Sequence, residues 1–103
     1  MKTFEIPNKN NLINVMRRNQ IEFAALFGSH AKGTAKENSD YDILIEFAPE
    51  ARVGLFEYQS IENKIASTLG NKVDLVTVGG IDKYIKDEVM RTMKVIYDNR
   101  PKK

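Results

Sequence analysis

Within the segment GSHAKGTAKENSDYD, ten residues separate Gly28-Ser29 from Asp40-Tyr41-Asp42. The first pair can turn the chain sharply and offer backbone N–H groups to an anion, and the second brings two carboxylates. Side chains two apart on a strand share a face, about 6 to 7 Å from one another, so Asp40 and Asp42 repel unless a cation lies between them. Hard oxygen ligands of this kind suit Mg²⁺ or Mn²⁺, with water and substrate phosphate completing the shell. A phosphate-holding turn beside a metal-holding pair is the equipment of nucleotidyl transfer. Each half also has a plainer reading. Asp40 can cap the preceding turn while Asp42 sits solvated at a strand start, and Ser29 can be an ordinary helix N-cap. The conjunction at this spacing is what points to chemistry.

The flanking elements place both halves at strand ends, where sites are commonly built. Ile21 to Phe27 is an apolar run that reads as a buried strand ending on Gly28. A short helical segment over Ser29 to Lys32 would then turn its first N–H groups toward an anion. Tyr41 to Phe47 reads as a second strand, broken by Ala48-Pro49-Glu50. Asn8 to Asn19 predicts a helix through Leu12, Val15 and Met16, capped by Asn8 or Asn10. Gly54 to Leu69 predicts another, with Leu55, Tyr58, Ile61, Ile65 and Leu69 as core and Gly70 at its C′ position. A third strand over Val73 to Val78, a turn at Gly79-Gly80, a helix from Ile81 to Met90 through Tyr84, Ile85 and Val89, and a short edge strand at Lys94 to Tyr97 complete the chain. The helix between the second and third strands allows a parallel crossover. For Gly28 to reach the carboxylates, the first strand must run antiparallel to the second.

Composition narrows the class. At 103 residues, 42% hydrophobic and 29% charged, the chain fits one domain over residues 1–103 with a modest core. Zero cysteines exclude a disulfide scaffold or a thiolate zinc site. Nothing resembles a signal peptide or an apolar run long enough to cross a membrane, so a cytoplasmic location and no membrane partner are expected. The formal charge of +2 carries no extended basic stripe: Arg17-Arg18 and Arg100-Pro101-Lys102-Lys103 are short clusters, and nucleic acid is not a required partner.

Gly-Ser, ten residues and Asp-x-Asp together resemble the hallmark of minimal nucleotidyltransferases in the DNA polymerase β superfamily, and the resemblance runs from about Asn8 to Asp98. It implies an α/β (α+β) fold, a polymerase β palm-like mixed sheet of three to four strands flanked by helices. It also implies a third carboxylate from a later strand, for which Asp74 in Lys72-Val73-Asp74-Leu75-Val76 is the candidate. Asp40, Asp42 and Asp74 are then the catalytic set and the ligands of two Mg²⁺ ions, or of Mn²⁺, while Gly28, Ser29 and Lys32 bind the nucleotide. Lys32 stands where such proteins often have Arg; it keeps the charge without the bidentate fork and reads equally as a solvated loop lysine. His30, the only histidine, can contact phosphate or move a proton, but a lone loop histidine is usually neither, and it is not taken as the base. Stand-alone members resemble antitoxins that transfer AMP from ATP onto a tyrosine of a HEPN ribonuclease toxin, which makes ATP or another NTP and such a toxin the implied partners. The alternatives are a non-catalytic antitoxin acting by stoichiometric binding, and transfer to a small molecule or RNA end.

Overall fold

Ile43, Leu44 and Ile45 are completely shielded from solvent, which a strand achieves only with paired neighbours on both sides and packing on both faces. The structure, a computed structural model, describes residues 6–36 and 39–101; the terminal lysines of the second basic cluster lie outside them. In chain order it contains α1 (Lys9–Arg18), β1 (Ile21–Phe27), α2 (Gly28–Lys32), β2 (Tyr41–Phe47), α3 (Leu55–Leu69), β3 (Val73–Thr77), a 3-10 turn (Val78–Gly80), α4 (Lys83–Thr92) and β4 (Lys94–Asp98). The strands form one four-stranded sheet in the order β3-β2-β1-β4. β2 pairs antiparallel with β1 and parallel with β3, and β4 pairs antiparallel with β1. This is the mixed sheet flanked by helices that the sequence predicts, with α3 as the crossover that parallel pairing requires.

The two faces of the sheet are unequal. Ala24, Leu26, Ile43, Ile45, Val73 and Leu75 join Leu12 and Met16 of α1 and Ile61, Ile65 and Leu69 of α3 in the main core. The opposite face holds a smaller cluster of Phe23, Ala25, Leu44 and Val89, with Phe27, Val76, Val78, Ile81 and Met93 packed around it. Ile21 and Phe23, two apart, should share a face; a register irregularity between them sends Ile21 to the main core and Phe23 to the smaller one. Arg100 helps to close the smaller face. Its guanidinium lies 4.1 Å from the Phe23 ring centroid and pairs with Glu46 at 3.3 Å and Asp98 at 3.0 Å.

Several helix expectations need correction. Asn8 precedes α1 in a left-handed conformation and makes no side-chain cap. Its Nδ2 donates instead to the Thr68 carbonyl at 2.9 Å, tying the start of α1 to the end of α3. Leu55 is not core: it is 89% exposed, while Val53, on the approach to the helix, packs against the main cluster. The last helix begins at Lys83, not Ile81, because the Asp82 carboxylate accepts from Tyr84 N at 2.8 Å and caps it there. Tyr84 and Ile85 then face outward, 85% and 45% exposed, leaving Val89 as the buried residue of α4. The third strand ends at Thr77, whose hydroxyl accepts from Gly80 N at 3.1 Å in the 3-10 turn.

The corrected packing of α3 predicts that Ile65→Ala lowers unfolding free energy by about 2–5 kcal/mol, whereas Leu55→Ala shifts it by no more than about 0.5 kcal/mol; urea melts of the two variants measure the contrast.

Candidate active site

The half-buried carboxylate of Asp42 is the centre from which the site is best described. It is the second residue of β2, on the strand face opposite Ile43 and Ile45, and therefore on the thinly covered side of the sheet. Pairing fixes its neighbours. On one side Asp42 is in register with Phe27, the last residue of β1, so Gly28 follows beside it. On the other side it is in register with Asp74, the second residue of β3; adjacent strands put such partners about 4.8 Å apart. Asp74 is exposed, and Asp40, just before β2, is exposed as well. The sheet thus brings Gly28, Asp42 and Asp74 to one end, with Asp40 one step outside it.

Gly28 is required at its position twice over. Its φ is +72°, a left-handed conformation that side chains resist, and a Cβ built there would overlap Asp42 Oδ2 and lie 3.1 Å from Asp42 Cγ. The close approach of this backbone to the carboxylate is therefore open only to glycine. Ser29, in the first turn of α2, does not serve as the N-cap; Phe27 occupies that position with no side-chain cap. The Ser29 carbonyl accepts from Thr34 N at 3.0 Å as the chain leaves α2.

Burial and like charge act together on Asp42. Its pKa is raised above the ordinary carboxylate value, first by burial, then by the charges of Asp74 and Asp40, and is offset in part by His30. Asp42 therefore interacts electrostatically with each of the other two acidic residues. Among the described residues, however, no three His, Cys, Asp or Glu side chains are gathered into a group that could hold an ion by themselves. Carboxylates in register, mutually repelling and left open to solvent on one side, suit a hard divalent cation that takes only one or two protein carboxylates and fills its shell with water and phosphate. The charge of Asp74 also reaches Tyr58 of α3, whose pKa is raised by burial, then by Glu62 and Asp74, and whose hydroxyl donates to the Leu75 carbonyl at 2.6 Å.

The two basic residues of α2 have different partners. Lys32 Nζ pairs with Glu88 Oε1 of α4 at 3.0 Å, while the charge of His30 acts on Asp42. This pairing holds Glu88 below the ordinary carboxylate range. Lys32 and Glu88 line a cleft of about 150 Å³ that also includes Gly28, Phe27, Ile85 and Val89. The pair lies 56 positions apart in sequence, so no local pattern announces it. His30 stacks on Tyr41, ring centroids 3.8 Å apart and planes 12° from parallel.

The folded-state pKa of Asp42 exceeds its unfolded value, so between the two the folded chain binds the extra proton. The contribution of Asp42 to stability is lost as pH rises through that acidic window. Without metal, Asp42→Asn is expected to melt at or above the wild-type temperature once pH exceeds the window, with the difference closing below it, as thermal melts in EDTA across acidic pH would record. Gly28→Ala is expected to cost about 1–2 kcal/mol from the left-handed backbone alone, and more from displacement of Asp42; denaturant melts give the value.

The chain matches the family described as Polymerase beta, Nucleotidyltransferase over residues 10–102. It is 38% identical over 72 residues to protein adenylyltransferase MntA of Thermococcus cleftensis, covering 70% of this chain and 69% of that protein. Among solved structures it is similar to a chain of a toxin–antitoxin complex crystallised with AMP-PNP, at 28% identity and a TM-score of 0.74 over 90% of this chain and 75% of the other. It is also similar to a chain in the complex of tri-AMPylated HEPN toxin with MNT antitoxin from Shewanella oneidensis, at 25% identity and a TM-score of 0.66, covering 88% and 70% respectively.

Proposed function

This chain belongs to the polymerase β-type nucleotidyltransferase family, and from that premise we propose that it moves AMP from ATP to a hydroxyl of a partner protein, a HEPN-type toxin that it restrains as an antitoxin. The observation that carries the reading is the register of β2, which sets Asp42 between the Gly28 turn and Asp74. The adenylyltransferase relative and the AMPylated toxin complex support the choice of AMP and of a protein acceptor. An ATP-consuming reaction of this kind has its setting in the cytoplasm.

In the proposed reaction the acceptor oxygen attacks the α-phosphorus in line, the bond from that phosphorus to the β-phosphate bridging oxygen breaks, and pyrophosphate leaves. Asp42 and Asp74, with Asp40 beside them, would hold divalent metal; a pair of Mg²⁺ ions, or Mn²⁺, would supply Lewis-acid neutralisation of the triphosphate and of the attacking oxygen. Gly28 and Ser29 orient the triphosphate through backbone N–H and hydroxyl donors, so that charge moving toward the leaving group meets preorganised dipoles. Asp74, exposed at its strand end, accepts the proton released by the acceptor hydroxyl or passes it to water. Lys32 joins the phosphate contacts by exchanging Glu88 for the triphosphate. Most of the acceleration then comes from positioning and electrostatics, as phosphoryl transfer generally requires.

The chain incubated with α-labelled ATP, Mg²⁺ and a lysate of its source is expected to label one protein band, and Asp42→Asn to reduce that labelling by about a hundredfold or more. Labelling of RNA or a small molecule in place of protein would overturn the protein-acceptor reading. Suppression of the partner that survives undiminished in the Asp40→Asn, Asp42→Asn double variant would show that binding alone is the mechanism.

A further inference from the structure

The three parts of the proposed site come from separate stretches of chain, and one backbone carbonyl joins all three. Ser39 O accepts from His30 Nε2 at 3.0 Å and from Asn71 Nδ2 at 3.1 Å. His30 directly follows Gly28-Ser29, Ser39 directly precedes Asp40, and Asn71 stands three residues before Asp74. We propose that His30 and Asn71 are positioning residues which, by sharing the Ser39 carbonyl, set where Asp40 stands relative to the Gly28 turn, Asp42 and Asp74, which the sheet register already brings together.

Each partner of this joint is itself held. A carbonyl only accepts, so His30 Nε2 carries the hydrogen in either protonation state of the ring, and the stack on Tyr41 fixes the ring plane. Asn71 follows Gly70, whose left-handed conformation ends α3 while Gly70 N and Asn71 N both donate to the Ala66 carbonyl, at 2.8 and 3.2 Å. The other end of the Asn71 amide accepts from Lys72 N at 2.8 Å, which fixes the amide so that its NH₂ group faces Ser39. Ser39 is tied locally too: its N donates to the Lys36 carbonyl at 3.0 Å and its Oγ accepts from Lys36 N at 2.8 Å. One residue beyond Asp40, Tyr41 N donates to the Lys72 carbonyl at 3.0 Å, closing the link between the two strand starts. Asp40 precedes its strand and is not itself in the sheet ladder, so its carboxylate stands where the Ser39 joint on one side and the Tyr41–Lys72 bond on the other hold its backbone. Groups that orient metal-holding side chains typically affect metal affinity 10- to 100-fold.

The inference rests on the metal-dependent transfer proposed above, and its test reads metal binding directly. Mn²⁺ is titrated by electron paramagnetic resonance into an equimolar mixture of the chain and a non-hydrolysable ATP analogue, for wild type, His30→Phe, His30→Gln and Asn71→Ala, with the analogue alone as the reference above which binding is counted and circular dichroism confirming the fold of each. His30→Phe keeps the stack and loses the donor, whereas His30→Gln keeps a donor. His30→Phe and Asn71→Ala are expected to weaken Mn²⁺ binding by about 10- to 100-fold, and His30→Gln to recover most of the loss. If Asn71→Ala does not fold, the two His30 variants alone decide. Wild-type affinity in His30→Phe, or equal losses in His30→Phe and His30→Gln, would overturn the positioning role. Absence of Mn²⁺ binding by the wild type would instead overturn the metal-dependent reading itself, and this inference with it.

Discussion

The repulsion among carboxylates at one end of the sheet is the constraint that the rest of the structure must withstand. Asp42 is half-buried and its charge is opposed by Asp74 and Asp40, so the fold keeps it where an isolated chain would not. What opposes the repulsion is β2 itself, paired on both sides and locked by Ile43, Leu44 and Ile45, all fully buried. A shift of β2 by one residue would turn Asp42 to the other face and drive Ile43 out of the core. The cost of assembling negative charge is therefore carried by hydrophobic packing only one to three residues away along the same strand.

The inequality of the two faces follows from the same demand. α1 and α3 pack on one face, over the main core; among the described residues the other face, which bears Asp42 and Asp74, is covered by α4, the residues around it and Arg100 over Phe23. A face sealed by a second full layer of helices would leave no room for a triphosphate and an acceptor. Packing is concentrated on one side and the other is left open, as the proposed transfer requires, and the glycine at position 28 brings the backbone up to the Asp42 carboxylate without filling that space.

What was legible in the sequence were features whose signals lie within a few residues. β1 and β2 have the bounds their apolar runs suggest; the need for Gly28 to reach the carboxylates points to the antiparallel pairing of β1 with β2, and the helix between β2 and β3 to their parallel pairing, both of which the sheet contains. Helix starts were less readable, because the groups that decide them are distant or unexpected: Asn8 is drawn off to Thr68, and Asp82, not a residue before Ile81, caps α4. Leu55 fits the periodicity of α3, but periodicity does not tell where a helix first meets the sheet. Lys32 with Glu88 and Ser39 with Asn71 are contacts between residues far apart in sequence, and only the fold brings them together.

One further consequence belongs to the outer strands. β3 and β4 are the flanks of the sheet, each five residues long, and the pairing of β4 with β1 is interrupted by a register irregularity. An unpaired strand margin is a template on which a second chain can add its own strand, and its capacity grows with length and flatness. Brief margins, one of them irregular, leave little such template for edge-to-edge addition of another chain.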